Sequence, residues 1–205
     1  MGATLHMMRT SHEQMEPDDR QLVESIIAGD SAAFETLVRR KTSKVYSLCY
    51  RVIGNAEDAK DIAQLSFIKL WENVGKYDPQ YTFDTWLYRM VTNVAIDFLR
   101  SKQSRDAAVS SNLRLVKTAS EGEQTLSLQR KEIESVFADV SSVLSPKQKT
   151  IFVMREMEDL PSVEISKILG CRESTVRNHL FNARKLMQEQ LRKRFPEYAN
   201  LWRTR

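Results

Sequence analysis

The chain consists of successive segments in which apolar residues recur every three or four positions, the spacing of a helix with one buried face. The first of these stripes comprises Leu22, Val23, Ile26 and Ile27. No segment of useful length alternates apolar and polar residues, as a half-buried β-strand would. Only six Gly and five Pro occur in 205 residues, so long uninterrupted helices are possible. These features predict an all-α fold.

Short polar residues and glycines mark the expected helix ends. Asp30 and Asn55 precede apolar stripes, where their side chains can cap a helix N-terminus, and Gly54 favours a helix stop. Ser145-Pro146 is typical of an N-cap followed by proline in the first turn. These signals divide the apolar stripes into separate helices.

The composition changes at residues 101–128, where Ser, Gln, Lys, Asn and Glu dominate and apolar residues are scattered. We interpret this segment as a flexible linker between two small helical domains. The expected domains span residues 17–100, with four helices, and residues 129–195. Residues 1–16 are expected to form a disordered extension, and residues 196–205 a C-terminal tail.

Composition excludes several classes of protein. No apolar run approaches the roughly 18–20 residues that span a bilayer, and the first twenty residues lack the apolar core of a secretory signal. Cys49 and Cys171 are too few for a disulfide framework, which suits a reducing compartment. We therefore expect a cytoplasmic protein with no direct membrane insertion.

Basic residues are concentrated in the last third of the chain. Residues 136–205 carry 13 Lys and Arg against 8 Asp and Glu, whereas residues 1–100 carry 12 against 14. Such asymmetry favours a polyanionic partner for the C-terminal part, although a basic tail is often only a solvated face.

Residues 160–187 have the spacing of a helix-turn-helix motif. Ser162 is expected to cap the first helix, Gly170 to form the turn, and the second helix to begin near Glu173. The second helix is expected to bury Val176, Leu180, Ala183 and Met187. Its opposite face carries Ser174, Arg177, Asn178, Phe181, Asn182, Arg184, Lys185 and Gln188. These groups can contact base edges and phosphates in a major groove. The alternative is an ordinary amphipathic helix in a small bundle.

The fourth predicted helix, at about 82–100, presents a second candidate nucleic-acid surface. One side of it carries Trp86, Arg89 and Asn93, and the preceding loop contributes Tyr77 and Tyr81. Aromatic rings stack on unpaired bases and arginines bind phosphates, so this surface suits a single strand. The alternative is that the aromatic residues of this helix, Trp86 and Tyr88, pack against other helices.

Two stretches of the sequence carry a family resemblance. Residues 55–93 contain NAEDAKDIAQLSFIKLWENVGKYDP and then FDTWLYRMVTN, which resemble conserved region 2 of the extracytoplasmic-function (ECF, group 4) sigma factors of bacterial RNA polymerase. Residues 144–187 resemble region 4 of the same family. Because both motifs occur in the family's order around a variable linker, the chain is identified as a member of this sigma-70-type family.

The resemblance implies three contact surfaces. Core polymerase would be bound, through the clamp helices of its β′ subunit, by Asp58, Asp61, Gln64, Leu65 and Phe67. The melted −10 element of a promoter would be bound by Lys76, Tyr77, Asp78, Trp86, Arg89 and Asn93. The −35 element would be read by Arg172, Ser174, Thr175, Arg177, Asn178, Phe181, Asn182, Arg184 and Lys185.

The resemblance also implies the partners of the chain. These are core RNA polymerase, contacted at its β′ clamp helices and β flap, promoter DNA, and an anti-sigma factor of the kind that is often membrane-tethered. Such a partner could hold the protein at the inner membrane. We expect no cofactor, no metal, no catalytic residue and no small-molecule substrate.

Other interpretations remain open on the residues alone. A helix-turn-helix regulator would bind duplex DNA without polymerase. The acidic residues early in the third helix, among them Asp58 and Asp61, could serve the helix dipole or form a paired-carboxylate site. An enzyme would need a nucleophile–base pair, a Gly-rich phosphate loop or metal-ligand spacing, and the sequence displays none of these.

Overall fold

The computed structural model describes residues 17–109 and 126–198 of the chain. The predicted extension at 1–16 and most of the predicted linker lie outside the described residues, as do residues 199–205. Every regular element in the described ranges is helical. The helices are α1 (Asp19–Ile27), α2 (Ser31–Ile53), α3 (Ala56–Asn73), α4 (Phe83–Val109), α5 (Leu126–Ser141), α6 (Pro146–Glu156), α7 (Ser162–Leu169) and α8 (Glu173–Arg194), with 3₁₀ turns at Val74–Lys76 and Pro196–Tyr198. The all-α prediction is confirmed for this part of the chain.

Side-chain caps fix several of the helix ends that the sequence predicts. The Asp30 carboxylate accepts hydrogen bonds from two amides in the first turn of α2, at 2.9 and 3.2 Å. Asn55 accepts one from an amide of α3 at 2.9 Å. Ser145 and Gln148 form a capping box at the start of α6. Gly54 ends α2 with a φ of 79°, a left-handed conformation that glycine adopts without steric cost.

Two predicted boundaries were wrong. Ser162 is the first residue of α7 and not its cap, because Pro161 occupies the N-cap position with the φ of −68° that its ring imposes. Helix α4 continues beyond Arg100 to Val109. The added residues include no Gly or Pro, and Lys102 bonds to Asp58 of α3 at 2.7 Å, which ties the extension to the neighbouring helix.

Helices α1–α4 form an N-terminal bundle and helices α5–α8 a C-terminal bundle. Helix α4 packs on α2 and α3 within its own bundle, and on α6 and α7 of the other. Leu87 and Val91 of α4 are fully buried, as are Ile165 and Ile168 of α7. These residues belong to one apolar cluster that runs through both bundles, so burial of apolar surface holds the bundles together.

Two ionisable groups lie within the apolar cluster. Burial raises the pKa of the Cys49 thiol to about 12. Burial, together with the carboxylates of Glu158 and Asp84, raises the pKa of Tyr88 to about 12. In the unfolded chain these groups lose their protons near their ordinary values of 9.0 and 10.0. Because the folded state keeps both protons to higher pH, their contribution to stability is complete below pH 9 and is lost as the pH rises towards 12.

We therefore expect the free energy of unfolding to fall above about pH 9, by up to about 1.4 kcal/mol per pH unit for each group. Urea denaturation followed by circular dichroism at a series of pH values measures this fall. Cys49→Ala should reduce stability at neutral pH, because removing the sulfur leaves a cavity in the core. In this variant the free energy of unfolding should begin to fall only at about pH 10, where Tyr88 starts to lose its proton in the unfolded chain. An unchanged onset in the variant would contradict the role of the thiol.

Candidate nucleic-acid interface

An aromatic cluster lies where the loop after α3 meets the start of α4. The Tyr77 and Trp86 ring centroids are 5.4 Å apart and those of Tyr77 and Phe83 are 6.0 Å apart, both edge-to-face. The Tyr77 hydroxyl donates a hydrogen bond to the Tyr81 carbonyl oxygen at 2.8 Å. Burial raises the pKa of Tyr77, so the phenol stays neutral. Both Tyr77 and Trp86 are half-buried, which leaves part of each ring accessible for stacking.

The loop that carries Tyr77 and Tyr81 is held in a turn by Asp78. The Asp78 carboxylate accepts hydrogen bonds from the side-chain and backbone amides of Gln80, which hold the pKa of Asp78 below its ordinary value. The Asp78 carbonyl accepts from the Tyr81 amide at 3.1 Å, which closes the turn. Asp78 therefore shapes the loop, while Lys76 is exposed and bonds to Asn73 at 2.8 Å.

A buried lysine of α2, Lys41, lies against the Phe83 ring of this aromatic cluster. Lys41 Nζ of α2 lies 2.5 Å from a carboxylate oxygen of Asp19 and 2.5 Å from one of Asp84, and 5.7 Å from the centroid of the Phe83 ring. Desolvation opposes its charge, but the bonds to Asp19 and Asp84 outweigh that effect and raise the pKa of Lys41. The sequence interpretation missed this residue, although a lysine four positions after Leu37 interrupts the buried stripe of α2.

The sequence-predicted residues of α4 share one face, but they differ in what they contact. Asn93 is exposed, and Trp86 belongs to the aromatic cluster. Arg89 is half-buried, and its guanidinium donates to the carbonyl oxygens of Lys167 at 2.8 Å and Ile168 at 3.3 Å, in the last turn of α7. The same guanidinium lies 5.6 Å from the centroid of the Tyr81 ring. The alternative that aromatic residues of this helix pack internally holds for Tyr88, which is buried.

Helix α3 presents an exposed face of mixed character. Asp61, Gln64 and Leu65 lie together on it, and Asp58 at its edge is paired with Lys102. Phe67 instead is half-buried and packs against the apolar cluster.

Two apolar residues that sequence reasoning missed extend this face. Ile68 is 55% exposed and Trp71 is 47% exposed, and the Trp71 ring packs edge-to-face on Phe34 of α2 at 4.7 Å. Leu65, Ile68 and Trp71 recur every three residues, which places them in one row along the helix. Periodicity alone does not distinguish an exposed apolar row from a buried one, so Ile68 and Trp71 were not predicted to lie at the surface.

Helices α7 and α8 form the predicted helix-turn-helix. Gly170 ends α7 with a φ of 59°, and the Cys171 amide donates to the Ser166 carbonyl at 3.0 Å. This left-handed glycine turn allows α8 to begin only three residues later, at Glu173. The predicted buried stripe of α8 is confirmed, with Val176, Leu180, Ala183 and Met187 all buried.

The opposite face of α8 is open to solvent. Phe181 is 68% exposed, an unusual position for a phenyl ring. Arg177 pairs with Glu173 at 2.6 Å and Arg184 with Glu156 at 2.5 Å. Both partners are carboxylates near the surface, which a DNA phosphate can replace as the anion bound to the guanidinium. The other exposed members are Arg172, Ser174, Asn178, Asn182 and Lys185, whereas Thr175 and Gln188 are half-buried.

The described residues offer neither a cluster of metal-ligating side chains nor a membrane-spanning helix. Residues 17–109 and 126–198 contain no group of three or more His, Cys, Asp or Glu side chains arranged to hold a metal ion. Within the same ranges, no helix has both the length and the apolar character that crossing a bilayer requires.

Comparison with known families matches both bundles. Residues 37–105 match the Sigma-70 region 2 model, and residues 137–187 match the Sigma-70 region 4 model. The chain is 31% identical over 188 residues to the ECF RNA polymerase sigma factor SigW of Bacillus subtilis, covering 87% of this chain and 99% of that protein. It is 33% identical over 185 residues to the ECF RNA polymerase sigma-E factor of Haemophilus influenzae, covering 84% and 95%.

Two solved structures share the fold. CnrH in complex with the cytosolic domain of CnrY superposes with a TM-score of 0.63 at 20% identity, covering 86% of this chain and 98% of that one. The sigma factor RpoE of Bartonella quintana, in complex with the anti-sigma factor NepR, gives a TM-score of 0.59 at 17% identity, covering 78% and 96%.

The ion pairs of Lys41 with Asp19 and Asp84 make a testable contribution to stability. We expect Lys41→Met to lower the free energy of unfolding by about 1–3 kcal/mol, because Asp19 and Asp84 would lose their close shared cation and keep only the longer contacts with Arg40 at 4.0 Å and Lys44 at 3.9 Å. Lys44→Met removes a lysine that is 63% exposed and 3.9 Å from Asp84, and should cost less than about 0.5 kcal/mol. Urea denaturation measures both values, and equal losses in the two variants would contradict the assignment.

Proposed function

The chain belongs to the extracytoplasmic-function sigma factors of the sigma-70 family, and we propose from its surfaces how it performs the work of an alternative sigma factor, which directs core RNA polymerase to specific promoters. One observation carries the proposal. Three separate exposed surfaces, on α3, on α4 with its preceding loop, and on α8, occur on one chain in the order of regions 2 and 4.

The proposed surface for core polymerase is the exposed face of α3. Asp58, Asp61, Gln64 and Leu65 form its polar and acidic part, and Ile68 and Trp71 extend it with apolar area. Apolar side chains surrounded by charged groups are typical of protein–protein interfaces, and the clamp helices of the β′ subunit are the proposed partner. Phe67 would support this face from the buried side.

The proposed surface for the melted −10 element is the aromatic cluster together with one side of α4. Removing a base from its stack costs a few kcal/mol, which stacking on Tyr77 or Trp86 can offset. Asn93 is exposed and can hydrogen-bond to a base edge, while Lys76 and Arg89 are suited to phosphates. Asp78 contributes by holding the loop in its turn.

The proposed surface for the −35 element is the open face of α8. Arg177, Asn178 and Asn182 can hydrogen-bond to base edges, and Phe181 can contact a thymine methyl group. The residues proposed to support them or to bind phosphates are Arg172, Ser174, Thr175, Arg184 and Lys185. The same bundle is the proposed contact for the β flap of core polymerase.

Regulation by an anti-sigma factor is part of the proposal. Two proteins of similar fold were solved in complexes with their partners, one of them named as an anti-sigma factor. Sigma factors are transcription initiation factors, so we propose no catalytic residue and no cofactor for this chain. The proposed place of action is the bacterial cytoplasm, with a membrane-tethered anti-sigma factor as one means of holding the protein near the inner membrane.

A conventional helix-turn-helix regulator is not favoured. That function would explain the open face of α8, but it gives no role to the exposed face of α3 or to the match of residues 37–105 to Sigma-70 region 2. Such a regulator would bind duplex DNA without polymerase, so run-off transcription with core polymerase distinguishes it from a sigma factor.

Run-off transcription tests the function directly. Purified bacterial core polymerase should start specific transcripts from a pool of genomic promoter fragments only when this protein is added. Leu65→Arg should reduce binding to core polymerase and transcription by at least about tenfold, because it places a charge in an apolar contact. Arg39→Ala, an exposed change on α2 that removes one positive charge, should leave both unchanged. Duplex binding by the protein alone, without any gain of initiation, would favour the regulator instead.

Promoter selection tests the open face of α8. Asn178→Ala and Phe181→Ala should each weaken transcription from promoters with the cognate −35 element by about five- to a hundredfold, the value of one good base contact. Glu189→Ala, an exposed change further along the same helix, is the matched control. Binding to core polymerase should stay at the wild-type level in all three variants, and a loss of core binding would assign these residues elsewhere.

A further inference from the structure

A cationic side chain outside the proposed single-strand surface lies beside the aromatic cluster. Arg20 of α1 lines the same open cleft as Tyr77, Tyr81 and Phe83. Helix α1 precedes residues 37–105, the range that matches Sigma-70 region 2. The matched range therefore assigns no role to this arginine.

The start of α1 is fixed on both sides of Arg20. Asp18 and Gln21 form a capping box, in which the Gln21 amide donates to the Asp18 carboxylate at 2.8 Å and the Asp18 amide donates to the Gln21 side chain at 2.9 Å. The Asp19 carboxylate bonds to the buried Lys41 of α2 at 2.5 Å. Because its neighbours are held in this way, the backbone at Arg20 keeps a constant position relative to the cleft.

The Arg20 side chain is accessible at the rim of the cleft. It is 64% exposed, and its guanidinium pairs with Glu24 of the same helix at 3.3 Å, where the Glu24 side chain is 65% exposed. An exposed pair of this kind contributes little to stability. A phosphate can therefore replace the Glu24 carboxylate as the anion bound to Arg20.

The charges around the cleft favour a phosphate at the rim over one in its interior. The cleft is lined by four carboxylates, those of Asp18, Asp19, Asp84 and Glu164. These groups repel a phosphate, and the nearby Lys41 is buried and already bonded to two of them. Among the described residues that line the cleft, Arg20 alone has a cationic side chain.

Arg20 also lies close to the ring on which a base is proposed to stack. Burial raises the pKa of Tyr77, the positive charge of Arg20 opposes that rise, and the charges of Asp19 and Asp78 add to it. Such an influence requires the guanidinium to lie near the phenol, because the interaction between charges weakens with distance and is screened by salt. A nucleotide that stacks on Tyr77 thus carries its phosphate into the neighbourhood of Arg20.

We infer that Arg20 is a further single-strand-binding residue, whose guanidinium binds the phosphate of the nucleotide that stacks on Tyr77. The inference rests on the proposed single-strand function of the aromatic cluster and adds helix α1 to that surface. The ring holds the heterocycle, and the guanidinium, which can donate two parallel hydrogen bonds to phosphate oxygens, holds the backbone. The two contacts together position one nucleotide at both of its ends.

The test uses holoenzyme reconstituted from the full chain and core polymerase. The probe is a fluorescein-labelled single-stranded oligonucleotide with the non-template −10 sequence of a promoter that is active in run-off transcription, and anisotropy measures its binding at a series of salt concentrations. Arg20→Gln should weaken binding about threefold to tenfold at about 0.1 M salt. It should also reduce the slope of log affinity against log salt by about 0.7, the value of one phosphate contact on a single strand.

Two further variants separate this contact from a general effect of charge. Arg20→Lys keeps the cation and should keep the salt slope of the wild type. Arg39→Gln removes a positive charge at an exposed position of α2 that does not line the cleft, and should leave both the affinity and the slope unchanged.

Neutral methylphosphonate linkages locate the phosphate that Arg20 binds. When each phosphate of the oligonucleotide is replaced in turn, one linkage should weaken wild-type binding by about threefold to tenfold more than it weakens binding by Arg20→Gln. The variant has already lost this contact, so the two changes should not add. The other linkages should have equal effects in the two proteins.

An Arg20→Gln holoenzyme with the affinity and salt slope of the wild type would overturn the inference. So would equal effects of every linkage in the two proteins, or a loss of binding between Arg20→Gln and core polymerase, which would assign Arg20 to a different partner. If the wild type initiates transcription and Arg20→Gln behaves like Arg39→Gln, the proposed function stands and the inference falls. A wild-type protein that starts no transcript would overturn both.

Discussion

The burial of helix α4 is the constraint on which the rest of the structure depends. This helix contacts α2 and α3 in its own bundle and α6 and α7 in the other, and Leu87 and Val91 at its centre are fully buried. Its buried side fixes the orientation of its other side. Trp86, Arg89 and Asn93 are brought together because they share that other side, where Trp86 and Arg89 are half-buried and Asn93 is exposed.

Local rules were sufficient to predict much of this fold from the sequence. The caps at Asp30 and Asn55, the stop at Gly54 and the buried stripe of α8 depend on residues a few positions apart, and the structure confirms them. The start of α7 was wrong by one residue, because a proline at the N-cap competes with the serine that follows it.

Contacts between distant residues could not be predicted in this way. Arg51 and Glu158 are far apart in the chain, and nothing local indicates that they meet. The length of α4 depends in part on Lys102 reaching Asp58, which is also a distant contact. Helical periodicity correctly places Asp61, Gln64 and Leu65 together on an exposed face of α3, but Phe67 is half-buried against the apolar cluster. Lys41 was missed because its role arises from carboxylates on two other helices. The individual roles of the surface residues remain predictions.

The buried lysine has an electrostatic consequence for what the aromatic cleft can accept. Lys41 is buried and bonds to the carboxylates of Asp19 and Asp84, which line the open cleft beside Tyr77. Because its charge is already matched by these two partners, Lys41 offers little attraction to a phosphodiester. A nucleobase is neutral and polarisable, and it can lie against the Tyr77 ring without needing a cation. The paired charges at the base of the cleft thus favour an orientation in which the heterocycle points inward and the sugar–phosphate chain stays in solvent.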